Sequence, residues 1–291
     1  MLSVECMYCL IKRQMEVLQN YEDEEKKSKY LKEVFRIIAD AKENETAPVI
    51  IAYINELHET YFKKSYSFDA LKKQYNELLL NKENIIEEFI QNTEDPLLTA
   101  IKYARVGNYI DFGAMGTIDN EKLESLLENA SSESIDMDEY IHFKEDLFTG
   151  KRLVYLTDNC GEVVLDKLLI QTINKLFPHI DIKIIVRGMP VLNDVTIEDA
   201  KMVGLTNVGK VIGNGTKIAG THLNDICGEA KEAINQADLI ISKGQGNFET
   251  LHGCGLNIYY MFLCKCDWFV KRFKLKQYEG VFINEKNNRI K

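Results

Sequence analysis

The stretch Leu153-Val-Tyr-Leu-Thr-Asp-Asn-Cys-Gly-Glu162 constrains the fold of this chain more than any other. Its four leading apolar residues suit a strand, Asp158 and Asn159 end it, and Gly161 releases the backbone into a helical pattern from Glu162. In an open α/β sheet, ligands sit beyond the carboxyl ends of the strands, so polar groups at that place point to a site. The arrangement recurs downstream. Asn193-Asp194 follows a β-like run at 182–186, and Lys243-Gly-Gln-Gly-Asn247 follows another at 239–241.

From Lys151 onward, strand-like runs near 153–157, 182–187, 207–212, 238–242, 258–264 and 280–284 alternate with helical ones near 161–177, 196–203, 224–236 and 247–253. Such alternation implies a parallel sheet covered on both faces. Residues 1–146 show 3.6-residue apolar spacing instead, over 16–38, 47–61, 68–80, 85–89 and from Asp95-Pro96 to Val106. Gly107-Asn108 breaks the last of these, and Asp111-Phe112-Gly113 with Gly116 reads as an irregular loop. The expected fold class is α/β: a Rossmann-like, three-layer, parallel-rich sheet domain over 149–291, preceded by an all-helical N-terminal domain over 1–148.

Bulk properties exclude several classes. A hydrophobic content of 45% with 28% charged residues is that of a globular protein. No apolar run approaches the roughly 20 residues that cross a bilayer. The N-terminus lacks the basic and apolar regions of a signal peptide. Seven cysteines, an odd number, fit a reducing compartment, so a cytoplasmic protein without a membrane partner is expected. Residues 1–150 hold 30 acidic against 17 basic side chains, a net of −13, whereas 151–291 hold 15 against 19, a net of +4. The acidic half argues against nucleic-acid binding. The mildly basic half tolerates an anionic small molecule. Nothing in the pattern sets an oligomeric state.

Each polar loop has two readings. Asp158 and Asn159 supply hard oxygen donors to one divalent cation, or they are N-capping residues. Asn193-Asp194 lies one βαβ unit further on, so a second pair at a neighbouring strand end favours the cation. The glycines of 243–247 let backbone amides converge on an anion, and Lys243 adds a full charge; a plain strand-to-helix turn is the other reading. This is not a Walker A loop. Gly213-Asn-Gly215 with Gly220 misses the dinucleotide spacing and reads as a turn. Cys6-x-x-Cys9 offers two of the four ligands a structural zinc needs. The histidines at 58, 142, 179, 222 and 252 form no H-x-x-x-H pair.

Taken together, Cys6-Met-Tyr-Cys9, Gly107-Asn108-x-x-Asp111-Phe112, Asp158-Asn159-Cys-Gly161-Glu162, Arg187-Gly-x-Pro190-x-x-Asn193-Asp194 and Lys243-Gly-Gln-Gly-Asn247-Phe-Glu249 resemble the DUF89 family of ARMT1-like damage-control phosphatases. The resemblance is closest to the prokaryotic branch with an N-terminal C-x-x-C, and it spans nearly the whole chain. It implies a cation-dependent phosphatase acting on small phosphorylated metabolites, such as sugar phosphates or damaged cofactors. Metal ligands map onto Asp158, Asn159 and Asp194, with Mn²⁺, Mg²⁺, Co²⁺ or Ni²⁺ as the cation. Lys243 and Asn247 map to catalysis beside Asp158, which acts as ligand or also as nucleophile. Gly244, Gly246 and Glu249, with Asn108 and Asp111 from the helical half, map to substrate binding. The rival readings are a phosphometabolite- or metal-sensing module without turnover and a nucleotide-dependent transferase or oxidoreductase.

Overall fold

The computed structural model describes residues 2–63, 67–111 and 118–287. Among them, strands β1 (Arg152–Leu156), β2 (Asp181–Val186), β3 (Lys210–Gly213), β4 (Leu239–Lys243), β5 (Ile258–Leu263) and β6 (Gly280–Asn284) form one sheet in the order β3-β2-β1-β4-β5-β6. Every neighbouring pair is parallel except β5 and β6. Tyr155 stands opposite Ile184 on one side and Ile241 on the other.

Side chains alternate across a strand, and here the alternation divides the core. Leu153, Tyr155, Ile184, Ile241, Tyr259 and Met261 belong to one apolar cluster, whereas Val154, Leu156, Ile185, Ile240, Tyr260 and Phe262 belong to another. Both faces of the sheet are therefore buried, which leaves three layers.

The helices are α1 (Val4–Leu18), α2 (Glu24–Ala39), α3 (Ala47–Phe62), α4 (Asp69–Gln91), α5 (Pro96–Gly107), α6 (Asn120–Glu128), α7 (Met137–Thr149), α8 (Glu162–Leu176), α9 (Ile197–Met202), α10 (Gly228–Gln236), α11 (Gln245–Leu251) and α12 (Asp267–Phe273). Residues from α4 through α8 cover the Tyr155 face, through Leu79, Ala104, Phe143 and Val164. Ala233, Phe248 and Phe269, from α10, α11 and α12, cover the other. The change of pattern near 148 is thus a change of secondary structure within one continuous core. Helices α1–α3 own a separate small core, built on Leu10, Leu18, Tyr30, Val34, Ile50 and Ile54.

Element boundaries follow local chemistry. The helical run expected from 16 to 38 is two helices, because the Asp23 side chain accepts the Lys26 amide (2.9 Å) and starts α2 afresh. The runs at 68–80 and 85–89 are one helix, α4. Asp95 caps α5 through the Leu98 amide (3.1 Å) and also accepts from the Tyr140 hydroxyl. Short α6 and α12 are invisible to periodicity. The Phe112-Gly113 and Gly116 positions lie outside the described residues. No described helix is long and apolar enough to cross a membrane.

The close contact of α5 with α8 fixes the helical layer to the sheet: a Cβ at Gly107 would stand 2.9 Å from Leu165 Cδ1. Leu165 is completely buried there. Leu165→Ala is expected to cost about 2–5 kcal/mol through lost burial and a residual cavity, read as a lower urea midpoint with an unchanged slope.

Candidate functional site

The chain leaves β1 toward β2 on one side and later returns to β4 on the other, so the carboxyl ends of β1 and β4 flank a topological switch point, where such sheets bind ligands. Asp158 follows β1 and Gly244 follows β4. Gly244 has φ +81°, and a Cβ there would lie 2.0 Å from Asp158 Oδ2, so only glycine lets the two loops close together. Gly161, at φ +82°, starts α8 and donates its amide to Asn76 Oδ1 (2.6 Å).

The loop after β1 is tied to the loop after β2. Cys160 N donates to Asn193 O (2.8 Å), Val195 N donates to Asp158 O (2.9 Å), and Asn159 bridges to Asp194 in antiparallel fashion. The two Asp-Asn pairs are thereby neighbours. Asn159 Nδ2 donates to Asp158 Oδ2 (2.7 Å) and to Glu162 Oε2 (3.0 Å). Asn108 Nδ2 reaches from α5's end to Asp158 Oδ2 (3.0 Å) and both Glu162 oxygens. Arg187 Nε donates to Asp194 Oδ2 (2.7 Å), and its Nη2 stands 3.7 Å from Asp158 Oδ1.

Acidic groups crowd this place. Burial first, then Glu162 and Asp194, push the Asp158 carboxyl far above its ordinary range, while Lys265 opposes them. Burial raises Asp194 to about 6 although Arg187 pulls it down. Behind them Asp166 is raised to about 7 by burial, against the pull of Lys243.

Comparison with known proteins decides the family. The damage-control phosphatase ARMT1-like domain matches residues 2–281. The chain belongs to this family. A damage-control phosphatase of Archaeoglobus fulgidus is 29% identical over 270 residues, 90% of this chain and 91% of that protein. One from Pyrococcus horikoshii is 36% identical over 177 residues, 60% of this chain and 61% of that protein. An uncharacterized protein of Methanocaldococcus jannaschii is 31% identical over 276 residues, 90% and 88% of the two chains. The crystal structure of a DUF89 family protein from P. horikoshii superposes with a TM-score of 0.81 at 28% identity, covering 98% of this chain and 99% of that one. The chain is accordingly a damage-control phosphatase by family, with the mixed α/β architecture of that relative.

Within this phosphatase, Asp158, Asn159, Asp194 and Asn108 meet at one point, but other expected residues take different places. Lys243 Nζ is sealed in the interior, donating to Ala104 O (2.8 Å), Asp166 Oδ1 (2.5 Å) and Glu162 Oε1 (2.6 Å). An ammonium has three donors, so none remains for a phosphate. Burial lowers its pKa, yet Asp166 and Glu162 together hold it above the ordinary value. Asn247 is likewise committed: Oδ1 accepts from Thr221 Oγ1 (2.8 Å) and Arg187 Nη1 (3.1 Å), and Nδ2 donates to Thr157 O and Lys243 O. Its side chain positions Arg187. The Gly244 amide is spent on Met261 O (3.1 Å). A Cβ at Gly246 would strike Ala219 O at 2.1 Å, so that glycine admits a neighbouring loop. Glu249 points elsewhere, lining a cavity of about 590 Å³ with Cys6, His222 and Trp268; burial pushes its carboxyl up to about 8.

Lys265 is a cation that sequence reasoning missed, and Arg187 is one it quoted within a motif without assigning it a role. Lys265, just past β5, donates to Asp111 Oδ2 (2.7 Å), and Asp111 is felt at both Asp158 and Asp194. A basic residue closing an apolar strand, as in Ile-Ile-Val-Arg187 and Phe-Leu-Cys-Lys265, is the signal that marks both. Gly244→Ala is expected to cost roughly 2–4 kcal/mol through overpacking and a strained φ. Its check is a lowered thermal midpoint with unchanged far-UV dichroism.

Proposed function

We propose that this phosphatase hydrolyses small phosphomonoesters with a divalent cation held by Asp158, Asn159 and Asp194. The observation that carries the reading is the convergence of two carboxylates and one amide at the switch point of the sheet. The donor set fits a hard cation. With Asn159 Nδ2 turned toward Asp158 and Glu162, its Oδ1 accepts no hydrogen bond among the described residues. Asn193 Oδ1, next to Asp194 in sequence, is buried and also accepts none among them. Carboxyls held high by burial and by one another are the groups a cation relieves. Mn²⁺, Mg²⁺, Co²⁺ and Ni²⁺ all suit such oxygen donors.

When bound, the cation supplies Lewis-acid charge against the phosphoryl oxygens. Lys265 and Arg187 hold the phosphate from the protein side, the latter through Nη2, which is buried with no hydrogen bond among the described residues. This is the duty the sequence assigned to Lys243. The Gly246 and Asn247 amides, in the first turn of α11 and without helical partners, add neutral donors. Lys265 exchanges its Asp111 partner for the phosphate when substrate arrives. Charge stabilisation by fixed groups of this kind provides most of the rate enhancement in phosphoryl transfer.

Phosphate release from p-nitrophenyl phosphate and a panel of sugar phosphates tests the reading, with stripped protein against protein given each of the four cations. Cation-dependent release that falls at least ~10²-fold in Asp158→Ala is expected. Cation binding without release from any compound would instead favour a sensing module, and cation-independent release equal in Asp158→Ala would sink the assignment.

The raised carboxyls also set a pH dependence. Asp194 and Asp166 bind protons in the folded state up to about 6 and about 7, against 3.8 when unfolded. In that window the folded chain holds more protons, so their contribution to stability is complete below about pH 4 and is lost as pH rises through 6 to 7. A cation competes with those protons. The rise in thermal midpoint given by excess Mn²⁺ is therefore expected to be larger at pH 7.5 than at pH 5.5.

A further inference from the structure

Glu162 touches two amides of the candidate centre and Lys243 behind it, yet it is completely buried. Its Oε2 accepts from Asn159 Nδ2 (3.0 Å), the Asn159 amide (3.3 Å) and Asn108 Nδ2 (3.0 Å), and its Oε1 faces Lys243 Nζ at 2.6 Å. Lys243 is held in turn by Asp166, which accepts the Tyr155 hydroxyl (2.7 Å).

An ionised carboxylate only accepts hydrogen bonds. Two side-chain amides that face it must present their NH₂ groups, and their oxygens are then directed elsewhere. For Asn159 the oxygen is left for the cation. For Asn108 it accepts the Leu263 amide (3.1 Å), which pins the end of β5 two residues before Lys265. One buried charge thus sets the orientation of a ligand amide and the position of the phosphate-side lysine.

We infer that Glu162 is a positioning residue that fixes the Asn159 amide with its oxygen toward the cation, with Lys243 as the charge partner that holds Glu162 in place. The inference rests on the cation reading above. The substitution Glu162→Gln would set an amide NH₂ against either Asn159 or Lys243, donor against donor. Asn159 would then keep only the Asp158 Oδ2 acceptor (2.7 Å) for its NH₂, and its oxygen would no longer be held toward the cation.

The test is calorimetric titration of the full chain with Mn²⁺ at pH 7.5, with thermal midpoints recorded to establish folding. Glu162→Gln is expected to weaken binding about 10- to 100-fold, the range for groups that orient a metal ligand. The decisive comparison uses Asn159→Asp, which has no NH₂ to offer Glu162. In that background Glu162→Gln is expected to strengthen binding at least ~5-fold, because the introduced amide now donates to the introduced carboxylate and leaves its second oxygen for the cation. A residue acting only through its negative charge would weaken binding in both backgrounds, and that result would overturn the inference. So would wild-type affinity in folded Glu162→Gln. If Glu162→Gln does not fold, Glu162→Asp keeps the charge and shortens the reach; a loss of at least ~5-fold is expected, and unchanged affinity would overturn the inference. Failure of the wild-type chain to bind any cation would remove the cation reading and this inference with it, whereas normal wild-type binding with unaffected variants removes the inference alone.

Discussion

The ion cluster of Lys243 with Glu162 and Asp166 ties β4, α8 and α5 together beneath the site. Lys243 comes from the last residue of β4, Glu162 and Asp166 from the first turns of α8, and the third acceptor, Ala104 O, from α5. Buried charges are tolerated where close pairing and hydrogen bonds offset their desolvation, and in this cluster Asp166 Oδ2 is left without a hydrogen bond among the described residues. Here the ammonium has three acceptors, and Glu162 passes its negative charge on to Asn108 and Asn159. The cluster therefore makes the ends of β1 and β4 and the start of α5's exit loop one rigid base. Removing Lys243 would leave two unpaired carboxylates in the core, which is costlier than exchanging the whole cluster for apolar groups.

On that base the phosphatase divides its charges by position. Anionic groups gather at Asp158 and Asp194, where burial and neighbouring carboxylates lift their carboxyls. Cationic groups flank them: Arg187 is steered by Asn247 and Asp194, and Lys265 is parked on Asp111. In the proposed reading both signs have a use: the first would hold the cation, and the second would receive the phosphate.

Much of this was legible in the chain. Strands buried on both faces leave continuous apolar runs, so all six were visible near their observed positions, and so was the clustering of Asp158, Asn159 and Asp194 at strand ends. Short, polar helices such as α6 and α12 carry too few apolar repeats to be seen. The site failed to read through where residue type does not reveal what surrounds it. Lys243 stands in a glycine loop that looks made for phosphate, but the carboxylates that claim it sit 77 and 81 residues earlier in the chain and only the fold brings them near. Asn247 is similarly absorbed by Arg187 and Thr221. Glu249 follows Asn247 in the motif, yet two residues of helix turn a side chain about 200° away, toward the cavity that holds Cys6. Lys265 went unnoticed because the cysteines around it drew the chemistry to themselves.

Anomalous diffraction from crystals soaked in Mn²⁺ and inorganic phosphate tests the central claim most directly. A single strong peak within roughly 2.0–2.6 Å of oxygens from Asp158, Asn159 and Asp194, with phosphate between it and Lys265, is the predicted result. A peak elsewhere, or phosphate bound at Lys243 with the Asp158 centre empty of metal, would contradict the account.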